Sequence, residues 1–152
     1  MAKLNIGDTA PDFSLKDQSG STVSLQDYKG KKLLLYFYPK ADTPGCTKQA
    51  CSIRDASGSL TAGGIAAAGI SPDKPEKQEK FDTKYNLGFP LFFDLDHAVA
   101  DAYGVWGEKK RSGKTYEGVI RSSFLIDEKG KLEGVWYGVK PLDTVSNVLD
   151  EG

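Results

Sequence analysis

Leu33-Leu-Leu-Tyr-Phe-Tyr38 runs straight into Pro39-Lys-Ala-Asp-Thr-Pro-Gly-Cys46-Thr-Lys-Gln-Ala-Cys51, and how this stretch folds decides how the chain folds. An apolar and aromatic run with no polar interruption suits a strand buried on both faces. Pro39 stops it, because proline donates nothing to a sheet ladder. A loop with Asp42, Pro44 and Gly45 follows, and from about Cys46 to Leu60 the residues are helix-compatible. Cys46, Ala50, Ile53 and Leu60 fall on one stripe of that helix and would face a core. Cys46 therefore stands in the first turn of a helix leaving the carboxyl end of a central strand, where α/β proteins build sites. Both cysteines of the chain lie here.

Outward from this unit, Asp12-Phe-Ser-Leu-Lys16 and Thr22-Val-Ser-Leu25 alternate apolar and polar about the turn cluster Asp17-Gln-Ser-Gly-Ser21, which predicts an N-terminal hairpin. Gly63-Gly64 closes the helical region. Ile65-Ala-Ala-Ala-Gly-Ile70 reads as a second buried strand, ended by Ser71-Pro-Asp73. Glu76 to Tyr85 is a charged surface helix, Pro90 to Asp94 a short strand and His97 to Tyr103 a short helix. Val119–Ile126 and Lys131–Tyr137 form a hairpin about Asp127-Glu-Lys-Gly130, and Pro141 opens a last helix to about Leu149. This order predicts a single thioredoxin-like α/β domain over residues 1–152, with a mixed central sheet flanked by helices and preceded by the hairpin.

A chain of 152 residues is long enough for a real core. Its net charge of −1 offers no field for a nucleic acid or an acidic membrane. No stretch has the apolar segment of a signal peptide or the ~20 residues of a membrane span. Two cysteines are too few for a secreted disulfide framework, so a reducing compartment is expected.

The chemistry has to come from the cysteines. A helix start offers orphan N–H groups and the positive end of the dipole, which favour thiolate over thiol and make the sulfur nucleophilic. The rival is a small buried hydrophobe. A cysteine protease would want an imidazole base, and the single histidine, His97, lies in another segment after Asp94-Leu-Asp96, where it caps or decorates a helix. Tetrahedral zinc needs four ligands, which two cysteines and one remote histidine do not supply. A dithiol oxidoreductase would show Cys-x-x-Cys, and here the spacing is Cys-x4-Cys.

Pro39-x-x-x-Thr43-x-x-Cys46 resembles the active-site motif of peroxiredoxins, and Pro39-Lys-Ala-Asp-Thr-Pro-Gly-Cys-Thr47 resembles their bacterioferritin-comigratory-protein/peroxiredoxin Q branch. The similarity continues in order through Gly7-Asp-Thr-Ala-Pro-Asp-Phe13, Gly69-Ile-Ser-Pro-Asp73, Phe89-Pro-Leu91, Tyr103-Gly-Val-Trp-Gly-Glu-Lys-Lys110 and Ile120-Arg-Ser-Ser-Phe-Leu-Ile-Asp127. The resemblance implies a thiol peroxidase without metal, haem or flavin. Cys46 would be the peroxidatic cysteine and Cys51 the resolving one. Thr43 would hydrogen-bond thiolate and peroxide, Pro39 would roof the pocket, and Arg121 would place its guanidinium beside the sulfur. The N–H groups of Gly45 and Cys46 would help hold the peroxide. Partners implied are a hydroperoxide and thioredoxin or a similar dithiol, in a monomer or weak dimer of a bacterial cytoplasm or, for a processed plant form, a chloroplast.

Beside the resemblance, Thr43 also reads as a plain cap, Arg121 as a surface strand residue, Trp106 and Trp136 as core or cleft wall, and Asp12 and Phe13 as structural. Gln49 stands where the family commonly has Glu, removing a charged partner for an arginine. Two further readings use the same cysteines: a redox-sensing or chaperone-like switch, and a thioredoxin-like domain with inert thiols. If Cys46 and Cys51 do pair, the helix start must melt. Residues five apart on a regular helix have Cα atoms about 8–9 Å apart, beyond the ~7 Å a disulfide spans.

Overall fold

The structure is a computed structural model that describes residues 3–149. Strands β1 (Ser14–Lys16) and β2 (Thr22–Ser24) form the expected hairpin, followed by a 3-10 turn over Leu25–Tyr28. Then come β3 (Lys32–Phe37), helices α1 (Pro44–Asp55) and α2 (Ser57–Ala62), β4 (Ile65–Ser71), α3 (Pro75–Tyr85) and β5 (Leu91–Phe93). After α4 (Ala98–Ala102), strands β6 (Trp106–Arg111) and β7 (Lys114–Val119) precede β8 (Ser122–Ile126), β9 (Leu132–Trp136) and α5 (Asp143–Leu149). One sheet has the order β2-β1-β5-β4-β3-β8-β9, and β6-β7 pair apart from it. Strand β3 is parallel to β4 and antiparallel to β8, so the sheet is mixed and the fold is thioredoxin-like.

The apolar run reads as expected. Leu33, Leu35 and Phe37 enter one core layer, with Phe13, Phe92, Tyr103 and Phe124; Leu34, Tyr36 and Tyr38 enter the other, with Cys46, Ile53, Phe81 and Val148. All six side chains from Leu33 to Tyr38 are buried. In this position β3 delivers the chain at Pro39 to the sheet's carboxyl edge, directly into the loop before Cys46.

Three expectations are corrected. The helix placed over Cys46–Leu60 begins two residues earlier, at Pro44, and ends at Asp55. Ala56 (φ −92°, ψ 3°) turns its N–H onto several carbonyls of the last turn, and α2 starts afresh after it. The strand placed over Val119–Ile126 is two strands: Ile120 and Arg121 lie between β7 and β8, with Ile120 N–H bonded to Val105 O at 2.7 Å. The β6–β7 hairpin was not foreseen. The last helix starts at Asp143, with Pro141 in the turn before it.

Candidate active site

Thr43 is the extended N-cap of α1 (φ −99°, ψ 157°) and Pro44 its first residue, which suits a position where no N–H is needed. The N–H of Thr47 makes a bond back to Thr43 O, at 2.8 Å. The N–H groups of Gly45 and Cys46 precede it and have no helical acceptor, at the positive end of the dipole. Cys46 is 1% exposed and packs with Tyr36, Tyr38 and Ala50 beneath it.

Arg121 reaches this helix start from the connection between β7 and β8. Its Nη1 donates to Cys46 Sγ at 3.4 Å and to Gln49 Oε1 at 2.7 Å. Gln49 Nε2 in turn donates to Thr144 Oγ1 at 2.8 Å, and both Gln49 and Thr144 are fully buried. The amide thus orients the guanidinium while adding no negative charge, so the charge of Arg121 faces the sulfur. Gly45 makes room for it: a Cβ there would lie 3.0 Å from Arg121 Nη2. Backbone holds the other side, where Val139 N–H donates to Arg121 O at 2.9 Å.

A cleft of about 810 Å³ opens over this loop, lined by Pro39, Thr43, Pro72, Trp106, Lys109 and Val119 among others. A cavity of about 210 Å³ at the opposite end of β3 holds neither cysteine. Thr43 borders the cleft, but its hydroxyl donates to Lys40 O at 2.8 Å rather than to the sulfur. Trp106 is the cleft wall: its indole stacks on His97 at 3.7 Å and its Nε1 donates to Glu117 at 3.0 Å. His97 sits at the N-cap position of α4, bonded to Asp101 at 2.9 Å.

Lys109 was missed from the sequence. Its Nζ donates to Val119 O at 2.8 Å. Burial lowers its pKa below the usual lysine value and the positive charge of Arg121 lowers it further, while Cys46 acts the other way. A signal existed: Ser112-Gly113 sits between two short runs, and both residues have positive φ (53° and 77°), as a tight hairpin turn requires.

Cys51 lies on the same unbroken helix, half-buried, and both thiols are free. Among the described residues no group of three or more His, Cys, Asp or Glu side chains could hold a metal ion. No helix among them is long and apolar enough to cross a membrane.

A cysteine at a helix start, with an arginine on its sulfur and a Pro/Thr-lined cleft above it, can now be set against known proteins. The model of the AhpC/TSA family matches residues 6–135. The chain belongs to this family. Its Bcp/PrxQ branch is equally plain: peroxiredoxin Bcp of Escherichia coli K12 is 51% identical over 154 aligned residues, covering 99% of either chain. The putative peroxiredoxin bcp of Haemophilus influenzae is 49% identical, covering 99% of this chain and 97% of its own. Among solved structures, Xanthomonas campestris peroxiredoxin Q superposes with a TM-score of 0.86 at 32% identity, over 91% of this chain and 88% of that one. A Xylella fastidiosa PrxQ variant reaches 0.92 at 28% identity, over 99% and 96%. In this peroxiredoxin the cysteine at the start of α1 is Cys46 and the arginine on its sulfur is Arg121.

Proposed function

We propose that the peroxiredoxin reduces hydrogen peroxide and organic hydroperoxides through Cys46, and that it is recycled by thioredoxin or a similar dithiol. The observation that carries this reading is the Arg121 guanidinium 3.4 Å from Cys46 Sγ, at a helix start that also offers two N–H groups. A positive charge and orphan donors favour the thiolate, the reactive form. The thiolate attacks one peroxide oxygen; the S–O bond forms as the O–O bond breaks. The second oxygen departs as hydroxide or alkoxide and takes a proton to become water or an alcohol. Arg121 and the N–H groups of Gly45 and Cys46 face the charge that develops on the oxygens.

Thr43 has a more specific part than the sequence suggested. Its single hydroxyl hydrogen is engaged with Lys40 O, so towards a peroxide its oxygen acts as an acceptor. A peroxide whose O–H points at Thr43 presents its oxygen to the sulfur. Pro39 closes the cleft beside it and limits water around the sulfenic acid.

Resolution follows when Cys51 attacks the sulfenic sulfur, forming the disulfide and releasing water; a dithiol then reduces it and is itself oxidised. Because both cysteines lie on one helix, the first turns of α1 have to unwind for this step. The side chain that unwinding tears loose is Gln49, held by Arg121 and Thr144. Ile53, buried in the core, anchors what remains of the helix.

The test is a coupled assay with thioredoxin, its reductase and NADPH. Cys46→Ser is expected to abolish peroxide consumption, since a serine hydroxyl neither ionises near neutral pH nor forms a sulfenic acid. Turnover that survives the substitution removes Cys46 from its role. A sensor in place of an enzyme would oxidise once and stop.

A further inference from the structure

Ser71-Pro72-Asp73 takes part in no step of the proposed chemistry, yet a buried polar chain ends there. The Tyr38 hydroxyl donates to Gln78 Oε1. Gln78 Nε2 donates to Ser71 Oγ at 3.1 Å and to Phe92 O at 2.9 Å. The Ser71 hydroxyl donates to Asp73 Oδ2 at 2.9 Å, and the same oxygen accepts the Ala41 N–H at 2.6 Å. Tyr38, Gln78 and Ser71 are all but fully buried. The donors thus run towards one carboxylate oxygen, and bonds polarised in one direction strengthen each other. An ionised carboxylate, which only accepts, suits that end.

What the carboxylate holds is the Lys40–Ala41 peptide. Its N–H goes to Asp73, and its carbonyl, Lys40 O, accepts the Thr43 hydroxyl at 2.8 Å. A peptide unit is planar and trans, so fixing the N–H fixes the direction of the C=O. If this plane flipped, the Thr43 hydroxyl would lose its acceptor and its hydrogen would be free to turn to the sulfur. The next residue, Asp42, has φ +59° and is tied separately to Lys84 at 3.0 Å and Tyr85 at 2.9 Å. Those ties belong to α3 and do not grip the Lys40–Ala41 plane.

We infer that Asp73 is a positioning residue for the peroxide. Through the Lys40–Ala41 peptide it keeps the Thr43 hydroxyl hydrogen turned away from Cys46 and the Thr43 oxygen open to accept the peroxide O–H. The inference rests on the peroxidase reading above. It goes beyond that reading in placing part of the peroxide's orientation on a residue that meets neither substrate nor sulfur.

A double-mutant cycle tests it, with Asp73→Ala, Thr43→Val and the pair made on a Cys51→Ser background so that one thiol reports. Stopped-flow oxidation by hydrogen peroxide is read beside alkylation by iodoacetamide, which needs the thiolate but no hydrogen-bond acceptor. Asp73→Ala is expected to slow oxidation about tenfold or more, the effect of one misplaced hydrogen bond. Alkylation should stay within about twofold, since the Arg121 guanidinium and the helix start that favour the thiolate are both kept. In the Thr43→Val background Asp73→Ala should do nothing further, because both act through one oxygen. Asp73→Asn keeps an acceptor for Ala41 and should restore most of the rate. Oxidation at the wild-type rate in Asp73→Ala, or an undiminished loss on top of Thr43→Val, overturns the proposal. Amide exchange on the wild type decides the matter if Asp73→Ala does not fold: the Ala41 N–H should be protected, and exchange at a free-chain rate overturns the proposal too. Failure of the peroxidase reading looks different, since Cys46→Ser would then keep its turnover whatever happens at Asp73.

Discussion

The two core layers on either side of the sheet are made of different material. On the α4 side, Phe13, Phe37, Phe92, Tyr103, Phe124 and Tyr137 form ring pairs with centroids between 5.1 and 5.8 Å. Hydroxyls there are satisfied: Tyr103 donates to Pro11 O at 2.7 Å and Tyr137 to Tyr103 O at 2.6 Å. On the α1 side the layer includes Cys46, and the polar Gln49 and Gln78 are buried in α1 and α3, its flanking helices. It also leaves Tyr36 Oη buried with no hydrogen-bond partner among the described residues. Burial and the nearby Tyr38 and Cys46 hold the Tyr36 pKa far above its usual value, so this hydroxyl stays neutral beside the sulfur. One layer is built to stay closed. The other carries buried amides held by directional bonds and the unpartnered Tyr36 hydroxyl, and it is the side on which the proposed resolution step would unwind α1.

The largest effect that can sharpen this contrast is Phe124→Ala. It removes a ring packed against Phe37, Tyr103 and Tyr137, and roughly 3–5 kcal/mol of stability should go with it, read by urea unfolding. The rate of Cys46 oxidation per folded molecule should hardly move. Arg121→Ala should do the reverse: about 1 kcal/mol of stability, from the orphaned Gln49 oxygen, but a ten- to hundredfold slower attack on peroxide, equivalent to about 1.4–2.7 kcal/mol. Stopped-flow rates equal to wild type would return Arg121 to the surface-residue reading.

A smaller pair probes the hydroxyls. Tyr103→Phe should cost about 1 kcal/mol, the worth of its bond to Pro11, while Tyr36→Phe should be neutral or stabilising by about that much. Equal losses in matched urea titrations would break the distinction between the layers.

The smallest effect is one of pH. The folded pKa of Lys109 lies below its ordinary 10.5, so the fold disfavours the charged form; that penalty is present at neutral pH and lost as pH rises through the folded pKa towards 10.5. Wild type should therefore gain stability relative to Lys109→Met over that alkaline window. A difference in melting temperature that stays flat from pH 7 to 10.5 would place the ammonium in open solvent.

What the sequence made legible follows the same division. β3 could be read because both its faces are buried, and its run needs no partner to be recognised. Cys46 at a helix start could be read because Pro44 and Gly45 announce it locally. The hairpin β6–β7 was unreadable by apolar pattern, since Lys114 to Glu117 all face solvent and only the Ser112-Gly113 turn marks it. The break at Ala56 has no proline and no positive φ, and the Ser57-Gly58 pair that follows it leaves the last turns uncertain without placing the break. Arg121 needed the family, because its distance from Cys46 in sequence hides its contact with the sulfur. The Tyr38–Gln78–Ser71–Asp73 chain joins the end of β4, helix α3 and the segments that follow β3 and β4 through hydrogen bonds that no periodicity records. Sequence patterns report burial well, and directional bonds between distant residues poorly.

Gly69 shows how far the sensitivity of the site extends. It lies beside Tyr36 in the parallel β3–β4 ladder, and a Cβ there would stand 2.8 Å from the Tyr36 ring and 2.9 Å from that of Tyr38. Both rings lie on bare backbone, in the layer that supports Cys46. A single added methyl would force them to shift. In a library of variants selected for growth under peroxide, substitutions at this unreactive strand glycine should therefore vanish about as completely as those at the sulfur itself.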